Sequence, residues 1–342
     1  MGSNYRSSSA NNGTNAYNLN FNSSNVNPNN NNERTNGFST RCVRAFISIF
    51  QSLSKGRPLR APFFGAVACV LHLDNVGHYA YLCTILKQKD MPKISIITPA
   101  YNSENTIHET IGALLGQTFP DFEYIVIDGA SKDRTVEKIK NYIPEFEKKG
   151  VAVHIVSEPD KGVYDAMNKG IALARGELVG ITNSDDWYED NALEVMWNKF
   201  TNGKVNRLNC MLYGIERVWK DGRIFNVQRR GAAFISESVL PHSAFFVSKA
   251  VYDRLGAFDL SVKVLADYDF ICRCASRGVD LEEVDVVISN FRLGGISSSY
   301  FDFYSDYYRI KYKYGFIDAK KYKELKFVLK VKKLINKLVK RW

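Results

Sequence analysis

Residues 94–100, ISIITPA, form a run without polar alternation, the pattern of a strand buried on both faces of a parallel sheet. Short strand-like runs recur at FEYIVIDGAS (122–131), VAVHIVSE (151–158) and GELVGITNSDD (176–186). Between them the apolar spacing becomes helical. Ser103 is placed to cap a helix whose apolar face is Ile107, Ile111, Leu114 and Leu115. Val136, Ile139 and Ile143 mark a second helix before Pro144 disturbs it, and Val163, Met167, Ile171 and Ala174 stripe a third. This β-α-β-α-β-α-β order predicts an α/β fold with an open, mainly parallel sheet and helices on both faces.

Beyond residue 205 the pattern changes. CMLYGIERVWKDGRIFNVQ (210–228) reads as two strands joined at Asp221-Gly222, a hairpin signal. HSAFFVSKAVYDRLGAFD (242–259) is a strand and a short helix, DYDFICRCASRG (267–278) a helix, and VDVVISNFRLGGIS (284–297) a strand and loop. This half is expected to complete the same mixed sheet. Residues 1–40 contain 14 Asn and little that is apolar, the composition of a disordered segment. Residues 41–90 are apolar but interrupted by His72, Asp74, Asn75 and His78, and read as an appendage or an upstream extension of the reading frame. Met91 stands where a compact domain would begin.

Composition changes this picture in two places. The chain has 46 Lys and Arg against 36 Asp and Glu, a net charge of +10. From Asp306 onward there are 13 basic residues and 3 acids, so the whole surplus lies in the tail. Residues 323–342, KELKFVLKVKKLINKLVKRW, place Phe327, Val328, Val331, Leu334, Ile335, Leu338, Val339 and Trp342 on one helical arc. The opposite arc is basic. Such a helix suits an anionic membrane surface, or packing against the domain through the same stripe. A nucleic-acid-binding role is disfavoured, because the charge is confined to one helix without aromatic stacking platforms. The six cysteines contain no C-x-x-C pair and read as buried or free thiols in a reducing compartment. No run of 18 apolar residues occurs, so no spanning helix is expected.

In an open α/β sheet, ligands bind beyond the carboxyl ends of the strands. Each of the first four runs ends in polar or turn residues: Pro99-Ala100-Tyr101-Asn102, Asp128 to Asp133, Glu158 to Gly162, and Asn183-Ser184-Asp185-Asp186. Any one acid here could cap a helix, and Asp186 is placed to cap the helix of Leu193, Met196, Trp197 and Phe200. With neither a G-x-G-x-x-G nor a Walker A loop, a diphosphate could instead be neutralised by a divalent cation on carboxylates, a task Asp185 and Asp186 fit.

ISIITPAYN, VIDGASKDRT, EPDKGVYDAMNKGIALARGE and ITNSDDWY resemble, in order and spacing, the signatures of glycosyltransferase family 2, over roughly residues 93–300. The resemblance is closest to the bacterial branch that builds O-antigen, capsule and exopolysaccharide. It implies a single GT-A (Rossmann-like) catalytic domain over 91–305, with 306–342 as a basic amphipathic tail. It also implies an inverting enzyme that moves a sugar from a nucleotide-diphosphate donor, a UDP-sugar in the first instance, to a hydroxyl of a lipid-linked glycan. Such an enzyme would use Mn²⁺ or Mg²⁺ and work in the cytoplasm, peripheral to the inner face of the plasma membrane.

By the same resemblance Pro99, Ala100 and Tyr101 line the nucleoside pocket and Asp128 hydrogen-bonds the base, with Ser131 and Asp133 nearby. Asp160, Gly162, Ala166, Asn168 and Gly170 match the family's D-x-G-x-x-x-A-x-N-x-G segment, with Lys161 near the phosphates. The D-x-D metal motif falls on Asn183-Ser184-Asp185, with Asn in place of the first acid, so Asp185 is the expected ligand, beside Asp186. The base motif falls on Ala266-Asp267, which lacks its preceding Glu; Asp267 is the expected base and Asp269 its runner-up, pointing elsewhere on the helix. His242 is either an acceptor-side or metal-side residue or a satisfied histidine at a strand edge. Q-x-x-R-W is missing, which disfavours a processive synthase. A non-enzymatic nucleotide-sugar or nucleic-acid/membrane-binding protein on the same fold is the alternative.

Overall fold

The chain divides between Asp90 and Met91. The computed structural model describes residues 91–229, 231–237, 239, 242–294 and 300–339. The expectations for residues 1–90 and for the last tail residues lie outside these.

Four parallel strands, β1 (Ile94–Ala100), β2 (Phe122–Asp128), β3 (Ala152–Ser157) and β4 (Leu178–Ile181), pair in the order β3-β2-β1-β4. The sheet continues through β8 (Phe245–Ser248), antiparallel to both β4 and the long β6 (Cys210–Lys220). Beyond β6 it runs parallel to β9 (Asp280–Arg292) and ends on β5 (Trp187–Tyr188). β7 (Arg223–Gln228) hangs on β6 through a turn whose residues, Asp221 at φ +50° and Gly222 at φ +73°, are both left-handed, as a tight hairpin demands. The second half therefore completes the first half's sheet.

Strand periodicity divides the core into two faces. Ile94 and Ile96 share one face with Tyr124, Val126, Leu178, Leu212 and Phe246, under helices α1 (Ile107–Leu115), α2 (Thr135–Asn141), α3 (Ile143–Lys148) and α5 (Ala192–Asn202). Ile97 shares the other with Ile127, Ile181, Met211 and Val247, under α4 (Val163–Leu173) and α7 (Ala266–Ser276). Pro144 sits at the start of α3, so the break before it separates two helices rather than kinking one. Helix α6 (Lys249–Leu255) follows β8.

Two expected caps are corrected. α1 starts at Ile107 behind Thr106; the Ser103 hydroxyl lies instead 2.7 Å from that of Ser184. α5 is preceded by Asn191, and Asp186 lies one short strand earlier with its carboxylate committed elsewhere.

α8 (Tyr300–Lys313) packs on α7 through Ile310, while Asp306 accepts a 2.8 Å bond from the Val264 N–H and Lys313 reaches Asp269 at 2.7 Å. α9 (Ala319–Val339) joins α8 through the stacked rings of Tyr312 and Tyr322, centroids 4.7 Å apart. Its Phe327, Leu334 and Ile335 are more than half exposed. Among the described residues no helix is long and apolar enough to cross a membrane. Cys210, Cys272 and Cys274 are buried free thiols.

Gly170 lets α4 lie directly on β1, since a Cβ there would sit 2.4 Å from Ile97 Cγ2. Overpacking costs about 1–3 kcal/mol against a helix-propensity gain of about 1 kcal/mol for alanine. Gly170→Ala is therefore expected to lower the denaturation midpoint of the chain; a midpoint unchanged or raised would mean that Ile97 yields.

Candidate functional site

The site is assembled from the loops after β1, β2, β3 and β4 and the start of α7. Asp128, the last residue of β2, is fully buried. Its Oδ2 accepts from the Ser131 N–H at 3.0 Å and the Ser157 hydroxyl at 2.6 Å, and the Ser131 hydroxyl donates to Oδ1. Ser131 also accepts from the Asn102 N–H at 2.8 Å, and Asn102 Oδ1 accepts from the Lys132 N–H at 2.9 Å. Asn102 and Ala130 both hold positive φ, +48° and +59°, and this lattice over-determines them. Asp133 accepts from the N–H groups of Glu104 at 3.1 Å and Thr135 at 3.0 Å. Burial raises its carboxyl pKa, but the hydrogen bonds from Thr135 and Glu104 prevail and hold it below the ordinary value. Asp133 thus fastens the β1 loop to the start of α2.

Pro99 and Ala100 are buried strand residues, and Tyr101 is 58% exposed beside them. Asp160 reaches this corner from the β3 side: a Cβ on Gly129 would meet Asp160 Oδ2 at 2.6 Å and the Tyr101 ring at 3.3 Å. Asp160 also accepts from the Gly162 N–H at 2.8 Å, with Gly162 at φ +110°, and Lys161 is exposed. Asn168 is placed elsewhere. Its amide makes two 2.9 Å bonds with the Phe258 backbone, tying α4 to the segment after α6.

At the end of β4 the neighbouring carboxylates differ. Asp186 is fully buried, its Oδ1 accepting from the Arg292 N–H at 2.8 Å and its Oδ2 from the Asn183 amide at 2.9 Å. Burial first, and then the Asp185 charge, push its carboxyl well above the usual range. Asp185 is partly buried, and no other described residue hydrogen-bonds or ion-pairs with its carboxylate. Its pKa is raised by burial, against the pull of its own N–H and of Arg292. A desolvated carboxylate with unspent oxygens suits a hard divalent cation. Among the described residues no three His, Cys, Asp or Glu side chains group as a metal cage, so a cation here would draw most of its ligands from a diphosphate and water.

Asp267, in the first turn of α7, is 7% exposed. Its Oδ1 is 3.0 Å from the Tyr164 hydroxyl, whose one hydrogen is shared with the Val264 carbonyl at 2.7 Å, and its Oδ2 is 3.4 Å from His242 Nδ1. Burial, then the Asp267 charge, hold the Tyr164 phenol protonated well above its ordinary pKa, so it remains a donor. His242 Nε2 lies 3.3 Å from the Asn183 amide nitrogen, which links the β4 loop to Asp267. Asp269 faces away and is bonded by Lys313.

The profile of Glycosyl transferase family 2 matches residues 95–256. A Mycobacterium tuberculosis (strain CDC 1551 / Oshkosh) protein described as an uncharacterized glycosyltransferase is 30% identical over 190 residues, 54% of this chain and 69% of that protein. The chain belongs to glycosyltransferase family 2. A PGL/p-HBAD biosynthesis glycosyltransferase of Mycobacterium bovis (strain BCG / Pasteur 1173P2) is 28% identical over 217 residues, 62% of this chain and 81% of that one. The structure of S. aureus TarS 1–349 in complex with UDP-GlcNAc aligns at a TM-score of 0.54 and 21% identity, covering 68% of this chain and 70% of that 1–349 chain, and shows the common GT-A fold.

In this glycosyltransferase the family segment after β3 is largely architectural. Gly170 admits α4 to the sheet, Ala166 is 1% exposed in the core, and Asn168 ties backbone. Sequence reasoning missed Tyr164 and Arg292. Arg292 stacks over Trp187 at 5.3 Å, pairs with Glu109 and donates to the Asp185 carbonyl at 3.3 Å. It ends a strand and precedes Leu293-Gly294, a placement that could have marked it.

The raised carboxyls give a signed pH prediction. Folded Asp185 and Asp186 retain protons that the unfolded chain has released, so stability falls as pH rises from the usual carboxylate range through their raised values. Asp185→Asn removes one of these groups and a like charge beside the other. In EDTA the variant is expected to melt above the parent at pH 7.5, with the difference shrinking toward pH 4; parallel melting curves across that range would refute the electrostatic account.

Proposed function

We propose that this glycosyltransferase is metal-dependent and inverting, and that it transfers one sugar from a UDP-sugar to a hydroxyl of a lipid-linked glycan in cell-surface polysaccharide synthesis. The observation that carries the reading is the Asp185 carboxylate, partly desolvated and with no hydrogen-bond or ion-pair partner among the described residues, on the loop that also reaches Asp267 through Asn183 and His242. TarS carries UDP-GlcNAc on the same fold, which supports a UDP-sugar as the first donor to test. A third relative, the Pasteurella multocida chondroitin synthase, is 26% identical over 192 residues, 19% of its length, and its name supports a glycan as acceptor.

The Ser131 hydroxyl, with Asp128 beneath it, offers an acceptor to the base, and Tyr101 an exposed ring beside the nucleoside. Lys161 and Arg292 bring positive charge toward the diphosphate. A divalent ion on Asp185 would neutralise the departing diphosphate. Asp267 accepts the proton of the acceptor hydroxyl as that oxygen attacks the anomeric carbon and the bond to the diphosphate breaks on the opposite face. Asp186, with both oxygens engaged, supports Asp185 rather than the ion itself. The exposed apolar stripe and lysines of α9 suit an anionic membrane, where a lipid-linked acceptor is found.

Calorimetry with UDP is expected to show binding that requires Mn²⁺ and is lost in Asp185→Ala; equal binding with and without metal would remove the cation from the reading. Asp267→Asn is expected to keep UDP affinity and lower kcat on the order of 10²–10⁴-fold, the usual span for a general base. Flotation with phosphatidylserine vesicles should recover the full chain at low salt and fail for Phe327→Glu/Leu334→Glu. Equal recovery would assign α9 another role.

A further inference from the structure

The family's metal motif begins here with Asn183 rather than an acid, and the structure gives that amide specific work. Asp186 Oδ1 is occupied by the Arg292 N–H at 2.8 Å, and its Oδ2 faces the Asn183 Nδ2 at 2.9 Å. The amide turns its NH₂ group inward and donates to that oxygen. One hydrogen of that NH₂ goes to Asp186. The same nitrogen lies 3.3 Å from His242 Nε2. An amide nitrogen can only donate, so Nε2 must be the accepting nitrogen of the ring. An uncharged imidazole that accepts at Nε2 carries its hydrogen on Nδ1, and Nδ1 is 3.4 Å from Asp267 Oδ2. The other Asp267 oxygen is 3.0 Å from the Tyr164 hydroxyl.

We infer that Asn183 and His242 together act as a tautomer lock on Asp267: the amide sets the hydrogen of the imidazole on Nδ1, and that hydrogen, with the Tyr164 hydroxyl, fixes the plane of the carboxylate. His242 is then a positioning residue, its ring nitrogens 3.3 Å from the Asn183 amide nitrogen and 3.4 Å from Asp267 Oδ2. An aspartate at position 183 would set a second carboxylate against Asp186 and call for a hydrogen on Nε2. That would leave a bare lone pair on Nδ1 facing Asp267, or would charge the ring. The change from acid to amide at the head of the motif therefore belongs to the base. The lock also ties the base to the donor side, because Asn183 lies two residues before Asp185 on one loop. The inference rests on Asp267 being the base, and deepens that reading.

The test is nitrogen NMR on the full chain labelled with ¹⁵N-histidine, at pH 8, with the His242 signals identified by their loss in His242→Gln. The lock predicts a protonated-type shift at Nδ1 and an acceptor-type shift at Nε2, reversed or converted to the doubly protonated form in Asn183→Asp. A second readout is kinetic. His242→Ala is expected to lower kcat about 10- to 100-fold, the usual cost of removing a supporting partner, with UDP affinity within twofold of the parent. His242→Gln, which can still donate toward Asp267, should recover part of that loss. An Nε2–H ring in the parent, or no change in Asn183→Asp, overturns the lock and leaves the transferase reading intact. The predicted tautomer in a chain whose Asp267→Asn variant keeps full activity overturns the positioning role and removes Asp267 as the base.

Discussion

A carboxylate removed entirely from water must be met by donors, and Asp186 is such a carboxylate at the mouth of the sheet. The surroundings are arranged around that requirement. The end of β9 supplies the Arg292 N–H, the β4 loop supplies the Asn183 amide, and α1 supplies the Thr110 hydroxyl to the Asp186 carbonyl at 2.7 Å. Three elements distant in sequence are thereby fixed to one residue. Asp185, just before it in the chain, has oxygens that no other described residue hydrogen-bonds or ion-pairs. The buried acid builds the loop and the partly exposed one is presented by it.

The same division of labour holds across the site. Asp133 and Asn168 spend their polar atoms on backbone, Asp128 is enclosed by serines, and Asp269 is given over to Lys313. Each is a polar residue near the candidate site whose first task is to hold a loop or helix in place. The antiparallel β8 between β4 and β6 makes this possible, because it brings the His242 turn and the start of α7 to the carboxyl ends of the parallel strands.

Much of this was legible in the sequence. The unbroken apolar runs of β1 and β4 and the 3.6-residue stripes of α1 and α4 gave the parallel half and its ligand-bearing end. Asp221-Gly222 gave the hairpin. Helix starts were read less well. Ser103 and Asp186 have the chemistry of caps, yet both side chains are claimed by groups roughly 80 and 100 residues away in sequence, Ser184 and Arg292. Local preference cannot foresee such long-range partners. Tyr164 and Arg292 were invisible for a related reason: each lies where tyrosine or arginine is unremarkable, and acquires meaning when the fold brings it to Asp267 or Asp185. The family motif located Asp160 and Asn168 together, but spacing alone does not say that one faces the cleft and the other the Phe258 backbone.

Helix α7 carries Asp267 on one side and, two residues on, Asp269 on another. Asp269 is held by Lys313 of α8, and α8 is stacked ring on ring with α9 at Tyr312 and Tyr322. The load path from the C-terminal helix to the proposed base is therefore short and built from packed helices, not slack chain. If α9 lies in a bilayer surface, the domain does not swing on a tether. Its height and tilt are set by the α8–α9 corner, so the cleft would meet lipid-borne hydroxyls at one fixed distance from the headgroups. An acceptor would then be selected by how far its sugar stands above the membrane as well as by its chemistry.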